Sequence, residues 1–94
     1  MQDDDFEWDD AKARANVARH DVSFEMARKV FNDPLALDWL DDREDYGEAR
    51  CLTIGFAGHQ LLCVAYTMRE HRVRIITARI AEPQERKAYH EENS

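Results

Sequence analysis

Residues 50–80 read RCLTIGFAGHQLLCVAYTMREHRVRIITARI. Two apolar runs, Arg50–Phe56 and Leu61–Thr67, flank Ala57-Gly58-His59-Gln60, and a third, Arg72–Ile80, follows a turn around Arg69-Glu70-His71. Runs of this length, rich in β-branched residues and parted by turn residues, are the signal of hairpin-connected strands. With Gly58-His59 as the turn, Phe56 faces Leu61 and Ile54 faces Cys63. Leu52, Ile54, Phe56, Leu61, Cys63 and Ala65 then share one face of the sheet, and Cys51, Thr53, Leu62, Val64 and Tyr66 share the other. Carried through a tight second turn, the same alternation puts Ile76, Ala78 and Ile80 on the first face. It puts Val73, Ile75, Thr77 and Arg79 on the second. The first face is the expected core and the second is mixed. Cys51 and Cys63 point to opposite faces, so no disulfide is expected.

Working outward, Leu35–Leu40 reads as a further strand, followed by an acidic loop over Asp41–Glu48 with Gly47 as a turn residue. Upstream, Ser23 is a suitable cap for a helix over 23–32, with Val22 and Ala27 placed as a hydrophobic staple. Asp33 before Pro34 ends that helix, because the residue before proline is pushed out of helical geometry. Residues 10–20, DAKARANVARH, are strong helix formers with Asp9 or Asp10 as the cap. Ala11, Ala15 and Ala18 form one stripe with Trp8 just before it. Lys12, Asn16 and His20 recur every fourth residue on a polar face, with Arg19 alongside. Phe6-Glu7-Trp8 reads as a short first strand, and Glu82-Pro83 opens a last helix over 83–90. The expected architecture is α+β: an antiparallel sheet of about four strands plus a short N-terminal strand, two N-terminal helices and one C-terminal helix. It forms a single domain over 1–94.

Composition narrows the function. The chain has 94 residues, and 3 glycines leave no phosphate-binding or dinucleotide loop. Its 2 cysteines make neither a disulfide framework nor a zinc site of their own, and its 4 histidines show no paired helical spacing. No cofactor and no metal are expected. No apolar run approaches a membrane span and the acidic start is unlike a secretion signal, so a cytoplasmic protein without membrane contact is expected. The net charge of −7 is uneven: residues 1–10 and 33–48 together sum to −12, which leaves the rest at +5. Tight non-specific binding to nucleic acid is disfavoured, but a local basic surface is allowed. Arginine, lysine, histidine, glutamate and tyrosine remain as the reactive set. That set suits metal-free RNA cleavage, because the ribose 2′-hydroxyl is the nucleophile and the protein supplies only a base, an acid and cations.

The order and spacing of two stretches carry a resemblance. Phe6-Glu7-Trp8-Asp9, Lys12, Asn16 and Arg19-His20-Asp21-Val22-Ser23-Phe24 match the opening W-D-x-x-K-x-x-x-N-x-x-K-H-G-V-x-F of the BrnT toxin family. Arg74-Ile75-Ile76-Thr77-Ala78-Arg79, Glu85-Arg86 and Tyr89 resemble its later R-I-I-S-A-R and E-R-x-x-Y. Asp21, Thr77 and Ile80 stand where the family usually has glycine, serine and lysine. The resemblance implies a RelE-like fold and a ribonuclease toxin that stops translation. It also implies a BrnA-like antitoxin with a DNA-binding ribbon-helix-helix part, and operator binding through that antitoxin alone. A heterotetramer of two toxins and two antitoxins is the expected assembly.

Candidate catalytic residues are Arg79, Arg69 and Arg86 for the phosphate and His20 and Glu85 as proton carriers. Trp8, Lys12, Arg74, Tyr66 and Tyr89 are candidates for holding the RNA substrate. Each has a structural reading beside it: Trp8 as core, Lys12 paired with Glu7 or Asp9, Arg74 as an edge charge, Glu85 and Arg86 as a helical pair. A second function reading is a non-catalytic toxin-fold protein that acts as co-repressor with a DNA-binding antitoxin.

Overall fold

The structure, a computed structural model, describes residues 1–43, 45 and 47–94. Glu44 and Tyr46, within the acidic loop expected at 41–48, lie outside the described residues. The elements run β1 (Phe6–Glu7), α1 (Asp10–His20), α2 (Phe24–Ala27) continued by a 3-10 turn at Arg28–Asn32, β2 (Leu37–Asp41), β3 (Arg50–Ala57), β4 (Gln60–Arg69), β5 (Arg72–Ile80) and α3 (Pro83–Glu92). The helix starts follow from their caps. The Asp9 carboxylate accepts the Lys12 N–H, the Ser23 hydroxyl accepts that of Met26, and Glu82 and Glu85 close a reciprocal capping box. Asp21 ends α1 in the left-handed conformation, φ 57° and ψ 34°, and its N–H donates to the Val17 carbonyl. That is the conformation glycine adopts without cost, and aspartate is among the side chains that tolerate it.

The five strands form one sheet in the order β1-β5-β4-β3-β2. The hairpin register is the expected one: Phe56 opposes Leu61, Ile54 opposes Cys63 and Leu52 opposes Ala65. The sheet as a whole is mixed, however, and not antiparallel. β1 pairs in parallel with β5, Phe6 beside Val73 and Glu7 beside Arg74. Hairpin turns dictate direction only between consecutive strands. The pairing of the two distant ends is decided by how α1 and α2 bring the N-terminal strand alongside β5.

Between Ala65 and Tyr66 the β4–β5 ladder slips: Tyr66 opposes Ile75 but Ala65 opposes Thr77, leaving Ile76 as an extra residue. This is a β-bulge, and each one-residue insertion reverses the faces beyond it. Ile75 and Val73 stay on the expected second face. Past the bulge the expectation inverts. Ala78 and Ile80 turn to the second face, whereas Thr77 and Arg79 turn to the first.

Both faces are covered. α1, α2 and the 3-10 turn cover the second, where Trp8, Val22, Phe24, Ala27 and Val30 pack on Leu62, Val64, Ile75 and Ala78. α3 covers part of the first, where Tyr89 packs with Ile54, Leu61, Cys63 and Ala81. The face read as mixed therefore holds the larger apolar cluster. The alanine stripe of α1 is not its buried side either: Ala11, Ala15 and Ala18 are exposed, and Asn16 is the buried residue of that helix. Asn16 Nδ2 donates to the carbonyls of Ala78 and Val22, each at 2.8 Å, and its Oδ1 accepts the Ala78 N–H at 3.1 Å. The amide completes the edge of β5 where β1 has ended. Hydrophobic periodicity cannot register a contact made by a polar amide with backbone.

Gly55 lets the 3-10 turn lie directly on β3. A methyl group there would sit 2.9 Å from Val30 Cγ1, 3.1 Å from Ala36 Cβ and 3.2 Å from Asp33 Oδ2. We expect Gly55→Ala to cost about 1–3 kcal/mol by overpacking, read as a lowered urea midpoint. An unchanged midpoint would mean that the turn moves aside freely.

A cationic groove and the candidate nucleic-acid site

α1 crosses the β5 edge with its polar face turned toward the bulge. Between them lies an open groove of about 330 Å³ lined by Lys12, Ala15, Asn16, Arg19, His20, Arg50, Ile76 and Thr77. Four of these side chains are basic, and among the described residues no carboxylate lines the groove. Three come from one helix face: Lys12 lies one turn before Asn16, and Arg19 and His20 fall in the last turn, where cations also complement the helix dipole. The bulge contributes Ile76 and Thr77. Arg50 arrives from the start of β3, on the same face of the sheet as Thr77 by strand register. In a protein of net charge −7, this is a concentrated positive field, and it suits an anionic ligand.

The residues singled out from the sequence divide sharply. Lys12 and His20 line the groove. Arg79 lies two residues beyond Thr77 and, because of the bulge, on its face. Its guanidinium donates to both Glu85 oxygens at 2.7 and 2.9 Å, and Glu82 Oε1 lies 3.6 Å away. The hydrogen bonds from Arg79 hold the Glu85 carboxyl below the usual carboxylate range against the opposing effect of burial, and Glu85 in turn raises the Arg79 guanidinium. Glu85 also accepts the Glu82 N–H at 2.8 Å. The pair is an ionised fork that pins α3 to β5.

Arg86 is exposed on α3. Arg69 sits at the opposite end of the β4–β5 hairpin, 3.7 Å from Glu48. At ~3.3 Å per residue, the register leaves Arg69 and Arg79 on the order of 20 Å apart, so one phosphate cannot bridge them.

Four further candidates serve the fold. Trp8 is buried in the core and meets Phe24 edge-on with ring centroids 5.7 Å apart. Arg74 forms a 2.7 Å ion pair with its register partner Glu7. The Tyr66 hydroxyl donates to the Asp38 carboxylate, and burial, then Asp38, pushes that phenol strongly upward. Tyr89 is buried under α3 and donates to Asp33 at 2.7 Å; burial and Asp33 push its phenol up to about 12.

Cys63, which opposes Arg79, has its thiol pushed up to about 12, chiefly by burial, and is unsuited to act as a nucleophile. Among the described residues no group of three His, Cys, Asp or Glu side chains is placed to hold a metal ion. No helix is long and apolar enough to cross a membrane.

Sequence reasoning missed Arg19 and Arg50 as site residues. Arg19 carried a signal, since it shares the polar face of Lys12 and His20. Arg50 carried none, because only strand pairing brings the start of β3 to the groove. A comparison with curated proteins gives no match. The sequence model of the ribonuclease toxin BrnT, of type II toxin–antitoxin systems, matches residues 8–85. That span holds the groove residues, the bulge and the Arg79–Glu85 fork, and the chain belongs to the BrnT ribonuclease toxin family.

Proposed function

We propose that the protein is a metal-independent endoribonuclease of RelE-like fold that inhibits translation in the cytoplasm, and that the cationic groove is its RNA site. The observation that carries this is the convergence of Lys12, Arg19, His20 and Arg50 in one groove. In the proposed step a base removes the ribose 2′-hydroxyl proton and the 2′-oxygen attacks the adjacent phosphorus. The bond to the 5′-oxygen then breaks as an acid protonates that oxygen. Lys12, Arg19 and Arg50 meet the charge that grows on the phosphorane oxygens. His20 lines the groove and is one of the two proton carriers of this step. The Arg79–Glu85 fork lies two residues beyond Thr77 along β5, outside the residues that line the groove.

The partner is a BrnA-like ribbon-helix-helix antitoxin. It neutralises the toxin by laying an acidic segment into the same positive field, in an assembly of two toxins and two antitoxins. Operator contact falls to the antitoxin, since the toxin's remaining surface is largely acidic. A second reading, a non-catalytic co-repressor, is favoured by Ile80, which is 43% exposed where the family pattern carries lysine.

The test is cleavage of a 5′-labelled RNA by antitoxin-free protein in EDTA, with the product ends mapped. We expect a 2′,3′-cyclic phosphate, or its hydrolysis product, and a 5′-hydroxyl. Cleavage lost in EDTA and restored by divalent ions would overturn the metal-free step. No cleavage under either condition would leave the co-repressor reading.

A further inference from the structure

Trp8 is buried, so the base-holding aromatic expected from the sequence must be sought elsewhere. Register supplies a candidate. Trp39 on β2 opposes Leu52 on β3, Leu52 opposes Ala65 on β4, and Ala65 opposes Thr77 on β5. These residues form one row across the first face of the sheet, and Thr77 at its end lines the groove. α3 covers the neighbouring row that holds Ile54 and Cys63. Leu52 and Ala65 between them are buried, and Trp39 is 40% exposed at the outer end of the row. Three strand spacings of ~4.8 Å put Trp39 roughly 14 Å from Thr77, within the span of a short single strand of RNA.

The acids of β2 do not oppose this placement. Asp38 lies on the other face, where it accepts the Tyr66 hydroxyl. Asp41, on the face of Trp39, is buried and takes two hydrogen bonds from Arg43 at 2.8 and 3.0 Å.

We propose that Trp39 is the stacking platform for an unstacked base of the RNA strand whose phosphate occupies the groove. The proposal rests on the ribonuclease reading above. Single strands are held in this way, by an electrostatic track for the backbone and an aromatic face for a base, and stacking tolerates any base because each has a π-face. Trp39 therefore contributes affinity and strand direction and little base identity.

The test uses the full-length protein with an uncleavable 2′-O-methyl RNA octamer and its abasic counterpart. The octamer should quench tryptophan emission in the parent, and the abasic strand should not. Trp39→Ala should bind the octamer roughly five- to a hundredfold more weakly, bind the abasic strand as the parent does, and regain most of the loss as Trp39→Tyr. Equal octamer binding by Trp39→Ala and the parent would overturn the proposal. So would a Trp39→Ala protein that binds RNA normally but loses antitoxin affinity, which would make this face a protein-docking surface. Failure of the parent to bind the abasic strand would overturn the groove as phosphate site. Quenching by the base-bearing octamer would even then support Trp39 as the stacking surface.

Discussion

Arg19→Ala and His20→Ala should each slow RNA cleavage by about 100- to 1000-fold, the usual effect of removing one well-placed donor or proton carrier from a transition state. Arg19 is exposed and His20 half-buried, and neither side chain is part of the apolar core. Both variants should therefore melt close to the parent, which separates a lost chemical step from a lost fold. The two differ in kind. Arg19 neutralises phosphate charge, so its loss should weaken binding of an uncleavable RNA as well as slow the step. In the proposed step His20 moves a proton, so its loss should fall mainly on the single-turnover rate. Arg79→Ala provides the contrast. It would strand the Glu85 carboxylate that it grips at 2.7 and 2.9 Å, so any slowing should come with a lower melting temperature. Parent-like cleavage by both Arg19→Ala and His20→Ala would remove the groove from the mechanism.

Asp33→Ala should lower stability by about 3 kcal/mol, because one carboxylate takes three hydrogen bonds, including one from β3 and one from α3, and each is charge-assisted. Its Oδ2 accepts the β3 N–H of Phe56 at 2.8 Å and the α3 hydroxyl of Tyr89 at 2.7 Å, and its Oδ1 accepts the Leu35 N–H at 2.9 Å. For a chain of this size such a loss corresponds to a fall in Tm on the order of 10–20 °C. Burial alone would raise the Asp33 carboxyl, but the three donors outweigh it and hold the group below its ordinary 3.8. A carboxylate lowered by folding contributes stability that is complete above the unfolded value. That contribution fades as the pH falls from about 4 through the folded value. Tyr89 has the opposite sign. Its phenol is raised from 10 to about 12, so its contribution is complete below pH 10 and disappears as the pH climbs toward 12. Urea titrations across pH should show both limbs in the parent. Asp33→Ala should have a shallower acid limb and Tyr89→Phe a shallower alkaline one, because Glu85 is lowered and Tyr66 raised by folding as well. An Asp33→Ala protein as stable as the parent would reduce the residue to a local turn.

The legibility of this protein divides along the range of the interactions. The spans of α1 and β5, the Ser23 cap, an aspartate cap at the start of α1 and the β3–β4 register were all readable. Each depends on a few residues adjacent in the chain: a cap oxygen and the N–H three positions on, or a two-residue turn that sets which strand residues oppose. The family was readable for a related reason, since its motifs are local spacings on α1 and β5.

The site was half readable. Lys12 and His20 declared themselves by helical period, whereas Trp8, Tyr66, Arg74 and Tyr89 offered side chains equally suited to solvent, core or ligand. Their partners Phe24, Asp38, Glu7 and Asp33 are brought to them by folding. By itself the sequence determined the elements, the hairpin and the kind of chemistry the residue set can perform. The tertiary structure decided which of those residues come together in the groove. One extra residue at Ile76 carries Arg79 from the helix-covered face to Glu85 and turns Thr77 into the groove. A parallel β1 stops short, so that Asn16 and the cations of α1 complete the β5 edge. A bulge and a distant strand pairing are settled by the packing of whole layers against one another, and no local window of the chain encodes that balance.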